Sequence, residues 1–83
     1  MTVDSKTELS TTFGKAGGTE TFYVKTDGES WITWGVPSWC KVKNKKEKSF
    51  ELECAKNTTG KSRSDYLKVK SGSKEVKITV RQN

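Results

Sequence analysis

The side chains with the most chemistry to offer in this 83-residue chain are two cysteines, Cys40 and Cys54. A closed zinc site needs about four thiolate, imidazole or carboxylate ligands. With two Cys and no His in the whole chain, the pair cannot build one. A disulfide or two packed thiols remain. The missing imidazole also removes hydrolytic triads and histidine proton transfer. Of the 10 acidic residues, Glu51 and Glu53 have a readable position, both on the outward side of one strand and facing lysines. Glycoside hydrolysis needs two carboxyls facing each other across a cleft. The residues therefore point away from an enzyme, with no metal and no cofactor expected.

The lysines at 41, 43, 45, 46 and 48, the net charge of +6 and a pI near 9.5 raise nucleic acid as a partner. Base stacking wants aromatics interleaved with the charge, and none lies between Val42 and Phe50. Lysines on exposed strands also discourage edge-to-edge aggregation. Nucleic-acid binding is thus the remote alternative, and the run reads as solvated charge.

The elements that must position these residues are short strands. Phe50, Leu52 and Cys54 alternate with Glu51 and Glu53, and Cys40 and Val42 alternate with Lys41 and Lys43, the period of a half-buried strand. Asn44 to Ser49 is a polar loop between them. If the two strands form a hairpin, pairing Val42 with Leu52 also sets Cys40 opposite Cys54, Lys41 opposite Glu53 and Lys43 opposite Glu51. Matched apolar faces and opposite charges, each pair worth about 0.2–1 kcal/mol, then agree on one register. Neighbouring strands bring opposed Cα atoms within the reach of a disulfide, which over this loop length would contribute about 3 kcal/mol. Two inward-facing thiols also pack well as small hydrophobes.

Around that hairpin the chain reads as more strands. Residues 1–12 are weakly patterned, giving a frayed start and one edge strand reaching Phe13. The pair Gly17-Gly18 marks a turn. Thr21 to Thr26 alternates with Phe22 and Val24 inward, and Asp27-Gly28 turns the chain. Trp31 opens a strand, with Ile32 and Trp34 on the side opposite Trp31 and Thr33. Asp65 to Lys70 places Leu67 and Val69 inward and Tyr66, Lys68 and Lys70 outward, and Ser71 to Ser73 turns it. Val76, Ile78 and Val80 alternate to the end. Two Ala and three Leu make helices scarce, and the three Trp, two Tyr and three Phe supply burial that disordered tracts lack. The fold class is all-β, a sandwich of about six to eight short antiparallel strands in one domain over residues 1–83.

In order along the chain, Gly17-Gly18 before Thr21-Phe22-Tyr23-Val24, the Glu29-Ser30-Trp31 strand start, Ser38-Trp39-Cys40-Lys41-Val42, Phe50 to Asn57, and Val76 to Gln82 resemble the BACON domain. That name records a Bacteroidetes association, a proposed carbohydrate-binding role and frequent N-terminal placement. The resemblance covers most of the chain and implies an immunoglobulin-like β-sandwich. It also implies a non-catalytic accessory module of a secreted or cell-surface bacterial protein, binding glycan or mucin or acting as a spacer. The alternative is a protein-protein docking module. The lysine-rich 41–48 segment and the two cysteines depart from the family's usual pattern.

Immunoglobulin-like order sets the Trp34 strand beside the Asp65–Lys70 strand, so that Trp34 and Tyr66 share an outward face near Lys68 and Thr79. Sugar rings stack their C–H faces on such rings, making Trp34 and Tyr66 the candidate carbohydrate platform, with Trp39 as a further candidate or a lid over the core. The other reading of Trp34 is cover for the sandwich edge or a domain junction. Trp31 belongs to the core. Asn57-Thr58-Thr59 satisfies the N-glycosylation sequon, which matters only in a eukaryotic secretory host. No run approaches a membrane span, and the start lacks signal-peptide features. A monomeric module excised from a longer extracellular protein, its targeting segment elsewhere, is expected, with glycans or neighbouring domains as partners.

Overall fold

Strand alternation sorts the chain into two layers. The computed structural model describes residues 1–26 and 30–83. The turn expected at Asp27-Gly28 lies outside the described residues. Among the described residues there are eight strands: β1 (Thr2–Val3), β2 (Glu8–Phe13), β3 (Gly18–Lys25), β4 (Ile32–Trp34), β5 (Cys40–Lys43), β6 (Ser49–Cys54), β7 (Arg63–Ser71) and β8 (Lys74–Gln82). One sheet runs β1-β3-β6-β5 and the other β2-β8-β7-β4. The all-β sandwich expected from the sequence is the architecture observed.

Each sheet turns its apolar positions toward the other. Val3, Phe22, Val24, Phe50, Leu52 and Cys54 come from the first sheet, and Phe13, Leu67, Val69, Val76, Ile78 and Val80 from the second. Trp31, immediately before β4, closes one side. Its ring centroid lies 5.5 Å from Phe50, which stacks on Phe22 at 5.4 Å. The indole N–H is satisfied by the carbonyl of Glu47 at 2.8 Å, as a buried tryptophan requires.

The β5–β6 hairpin has the register that alternation and charge select, with Cys40 opposite Cys54, Lys41 opposite Glu53, Val42 opposite Leu52 and Lys43 opposite Glu51. The start of the chain differs from its reading. Val3 is fully buried in a short strand antiparallel to β3, where a frayed end was expected. The next strand, β2, pairs with β8 in parallel, Leu9 beside Ile78 and Thr11 beside Val80, so the sheet is not antiparallel throughout. A parallel neighbour cannot come from a hairpin, and here it comes from the opposite end of the chain.

The turn after β2 depends on Gly17. Its φ is +85°, and a Cβ there would stand 2.5 Å from the backbone oxygen of Cys54. Only glycine meets both conditions.

Candidate functional site

The outward face of the β2-β8-β7-β4 sheet collects exposed rings and ammonium groups. Trp34 on β4 pairs with Lys68 on β7, which pairs with Lys77 on β8. Tyr66 sits two residues before Lys68 and therefore on the same face, diagonal to Trp34. Trp34 is 55% exposed, Tyr66 44% and Ile32, two residues before Trp34, 55%. Trp34 and Tyr66 therefore share one exposed face near Lys68 and Thr79, with Tyr66 opposite Thr79.

Two features of this face were not readable in the linear order. Lys70 places its ammonium 4.4 Å from the Trp34 ring centroid, and Lys77 does the same over Tyr66 at 4.6 Å. Glu75 holds Lys68 at 3.2 Å and approaches Lys70 at 4.0 Å. Exposed cation–π contacts are worth about 0.5–1 kcal/mol. A ligand that stacks on either ring can displace them.

Trp39 occupies a different place. It is half-buried against the core, with the Arg63 guanidinium 4.6 Å from its ring centroid. It lies at the margin where Ala55 donates its N–H to the Trp39 carbonyl at 2.9 Å, in the position of a lid.

Cys40 and Cys54 are unbridged, and their Sγ atoms are 2.6 Å apart. Burial pushes both thiols above the ordinary cysteine range, so they are protonated at neutral pH. Among the described residues no group of three or more His, Cys, Asp or Glu could hold a metal ion. Nor is any helix long and apolar enough to cross a membrane.

Glu53 accepts from Lys43 at 2.7 Å and pairs with Lys41 at 3.1 Å. Glu51, expected to face Lys43, instead accepts from the Asn44 side chain at 3.1 Å, because the Lys43 stem reaches diagonally to the carboxylate already near Lys41. Hydrogen bonds from Lys43 and then Lys41 hold the Glu53 carboxyl below the usual carboxylate range. Such a group serves poorly as a general acid. Its folded pKa is depressed, so its contribution to stability is complete above the ordinary glutamate pKa and is lost as pH falls through the folded value. Urea midpoints followed from neutral pH into acid should decline less for Glu53→Gln than for the wild type. Parallel declines would mean that the two lysines do not stabilise the carboxylate.

The lysine run is also divided up by the fold. Lys41 and Lys43 serve Glu53. Lys45 donates to the Trp31 carbonyl at 2.8 Å with its ammonium 4.7 Å from the Trp31 ring centroid.

A polar network that the sequence did not announce locks the end of the sandwich near Trp39. Asn57 is 2% exposed. Its amide nitrogen donates to the carbonyls of Lys61 at 2.7 Å and Asn83 at 3.1 Å, and its oxygen accepts from Thr59. The sequon asparagine is thus engaged in holding this turn. Gln82, also buried, donates to the carbonyls of Ala55 at 2.6 Å and Gly14 at 3.2 Å and accepts from Arg63 at 2.9 Å. These contacts satisfy backbone groups that burial would otherwise leave costly.

A family model described as the viral BACON domain matches residues 2–83. No curated protein matches the chain. Among solved structures, a Bacteroides ovatus GH5 xyloglucanase in complex with a XXXG heptasaccharide is similar at 25% identity and a TM-score of 0.73, over 93% of this chain and 17% of that one. An endo-fucoidan hydrolase from glycoside hydrolase family 107 is similar at 13% identity and a TM-score of 0.65, over 95% of this chain and 13% of that one. At that identity the second likeness shows the fold alone. In each case this chain spans less than a fifth of the other protein's length.

Proposed function

Because the chain belongs to the BACON domain family, in the branch described as viral, we propose that it is a non-catalytic accessory module whose Trp34 and Tyr66 face makes weak contact with carbohydrate. The observation that carries this reading is the pair of exposed rings on one sheet face, each with an ammonium beside it. Sugar rings offer apolar C–H faces to stack on indole and phenol, and their hydroxyls accept hydrogen bonds from lysine. The likeness to part of a xyloglucanase structure supports a setting among glycan-acting proteins. The module works outside the cell or on a surface, attached to a larger bacterial or viral protein. It acts alone as a monomer.

A second reading has its own observation. Ile32 extends the exposed rings with aliphatic surface, and β4 is a three-residue edge strand. An apolar edge of this kind suits docking against a neighbouring domain of the parent protein.

Tryptophan emission separates the two, since Trp31 is buried, Trp39 half-buried and Trp34 exposed. Titration with plant polysaccharides and mucin glycans should change the emission of the wild type and leave Trp34→Ala unchanged. Silence of the wild type across those glycans would remove the carbohydrate reading and leave docking or spacing. At most a few kcal/mol are at stake at so open a face, which corresponds to dissociation constants of roughly millimolar order.

A further inference from the structure

On the other sheet, a groove of about 690 Å³ opens beside Tyr23. This volume falls inside the range of roughly 300–1,000 Å³ occupied by small-molecule sites. Tyr23 is 65% exposed, more than any other large hydrophobic side chain among the described residues. Asp4, Ser5, Lys25, Glu47 and Lys48 are among the residues that line the groove with it.

Beside Tyr23 the groove is lined by a strained turn. Val3 and Lys6 exchange both backbone hydrogen bonds at 2.9 Å, which makes Asp4 and Ser5 the two central residues of a tight hairpin loop. Their φ values are 49° and 65°. Positive φ at both central positions favours Asn-Gly, and non-glycine residues there cost on the order of 1–3 kcal/mol each. This turn instead carries a carboxylate and a hydroxyl. It is also fixed to the strand beneath it. The Asp4 N–H donates to the Tyr23 carbonyl at 2.8 Å, and the Tyr23 N–H donates to the Asp4 carboxylate at 2.9 Å.

Ligand class follows from the lining. Two carboxylates, Asp4 and Glu47, and two ammonium groups, Lys25 and Lys48, line the groove, so it attracts neither sign of ion strongly. An anion would meet the carboxylates, and a hydrocarbon would cover charged groups without giving them partners. A sugar has one apolar face for the ring and a rim of hydroxyls that both donate and accept. We propose that this groove is a saccharide site for a neutral sugar unit, stacked on Tyr23 and held by the Asp4–Ser5 turn. It is separate from the Trp34 and Tyr66 face and does not depend on it, because the two lie on the outward sides of different sheets.

The test is an amide-shift titration of labelled protein with cellobiose, xylobiose, mannobiose and lactose at millimolar concentration, and with a galacturonic acid oligomer as the anionic control. Amides of Asp4, Ser5, Tyr23 and Lys48 should move with at least one neutral disaccharide. Tyr23→Ala should weaken that binding about tenfold or more, equivalent to about 1.4 kcal/mol, while Tyr23→Phe and Trp34→Ala preserve it. Because Tyr23 is mostly exposed, unchanged dispersion of the remaining amides will show that the alanine variant is folded. Still amides with every neutral disaccharide, movement with the anionic control alone, or binding that survives Tyr23→Ala would each overturn the proposal. The Trp34 indole signal in the same spectra reports the other face independently, so failure at one leaves the other readable.

Discussion

Replacing Phe50 with alanine should lower folding stability by about 3–5 kcal/mol, the range for removing a large ring from a core. Domains of this size have a total on the order of 4–12 kcal/mol at 0.05–0.15 kcal/mol per residue. The loss therefore removes a large share of that total. Phe50 is completely buried on β6, the strand flanked by both β3 and β5. Its ring joins Phe22 from the neighbouring strand to Trp31 from outside the sheet, so its removal separates two groups of aromatic contacts at once. Phe50→Leu keeps most of the volume and should cost less than half as much. Urea denaturation followed by tryptophan emission reads both variants. A loss below about 1 kcal/mol for Phe50→Ala would mean that the core collapses into the space, contrary to the close packing of interiors.

Oxidation of Cys40 and Cys54 should stabilise the domain by about 3 kcal/mol, the chain-entropy figure for a closed loop of this length. The residues are directly opposed. The Ala55 N–H bonds to the Trp39 carbonyl, so alternation makes the 40/54 position a non-hydrogen-bonded pair, where Cα atoms approach to about 4.5 Å. That separation lies within the disulfide range. Glutathione disulfide is a suitable oxidant. Two thiols lose two protons and two electrons, the protein sulfurs join, and two glutathione molecules leave. Thiolate is the attacking species, and burial holds both thiols in the protonated form, so closure will be slow at neutral pH and faster as pH rises. Complete alkylation after oxidation, or a lower urea midpoint in the bridged protein, would show that the pair is built to pack as thiols.

What could be read from the sequence was local or strictly alternating. The β5–β6 register follows from three chemistries within one hairpin, and β7 and β8 follow from Leu67, Val69, Val76, Ile78 and Val80. Trp34 and Tyr66 could be assigned to one face because strand alternation fixes the side and family-like order fixes the neighbour. The remainder depends on contacts between distant segments. Val3 and β2 carry little pattern of their own, and their partners lie in β3 and β8. Asn57 and Gln82 look like surface residues until the chain end and the turns at Gly14 and Ala55 close over them. The Asp4–Ser5 turn lacks the glycine that would mark it, so the Tyr23 groove has no sequence signature. Lysine partners were half legible. Alternation set Lys43 opposite Glu51, but the reach of its stem selected Glu53.

The most direct measurement is an amide and indole shift map of the wild type with xyloglucan oligosaccharides and mucin glycans. Concerted movement of the Trp34 indole, Tyr66, Lys68 and Lys77 signals, lost in Trp34→Ala, is the expected result for a carbohydrate-contacting face. An unmoved Trp34 indole with every glycan, in a protein whose spectrum is otherwise folded, would contradict that role and identify the face as a docking or spacing surface.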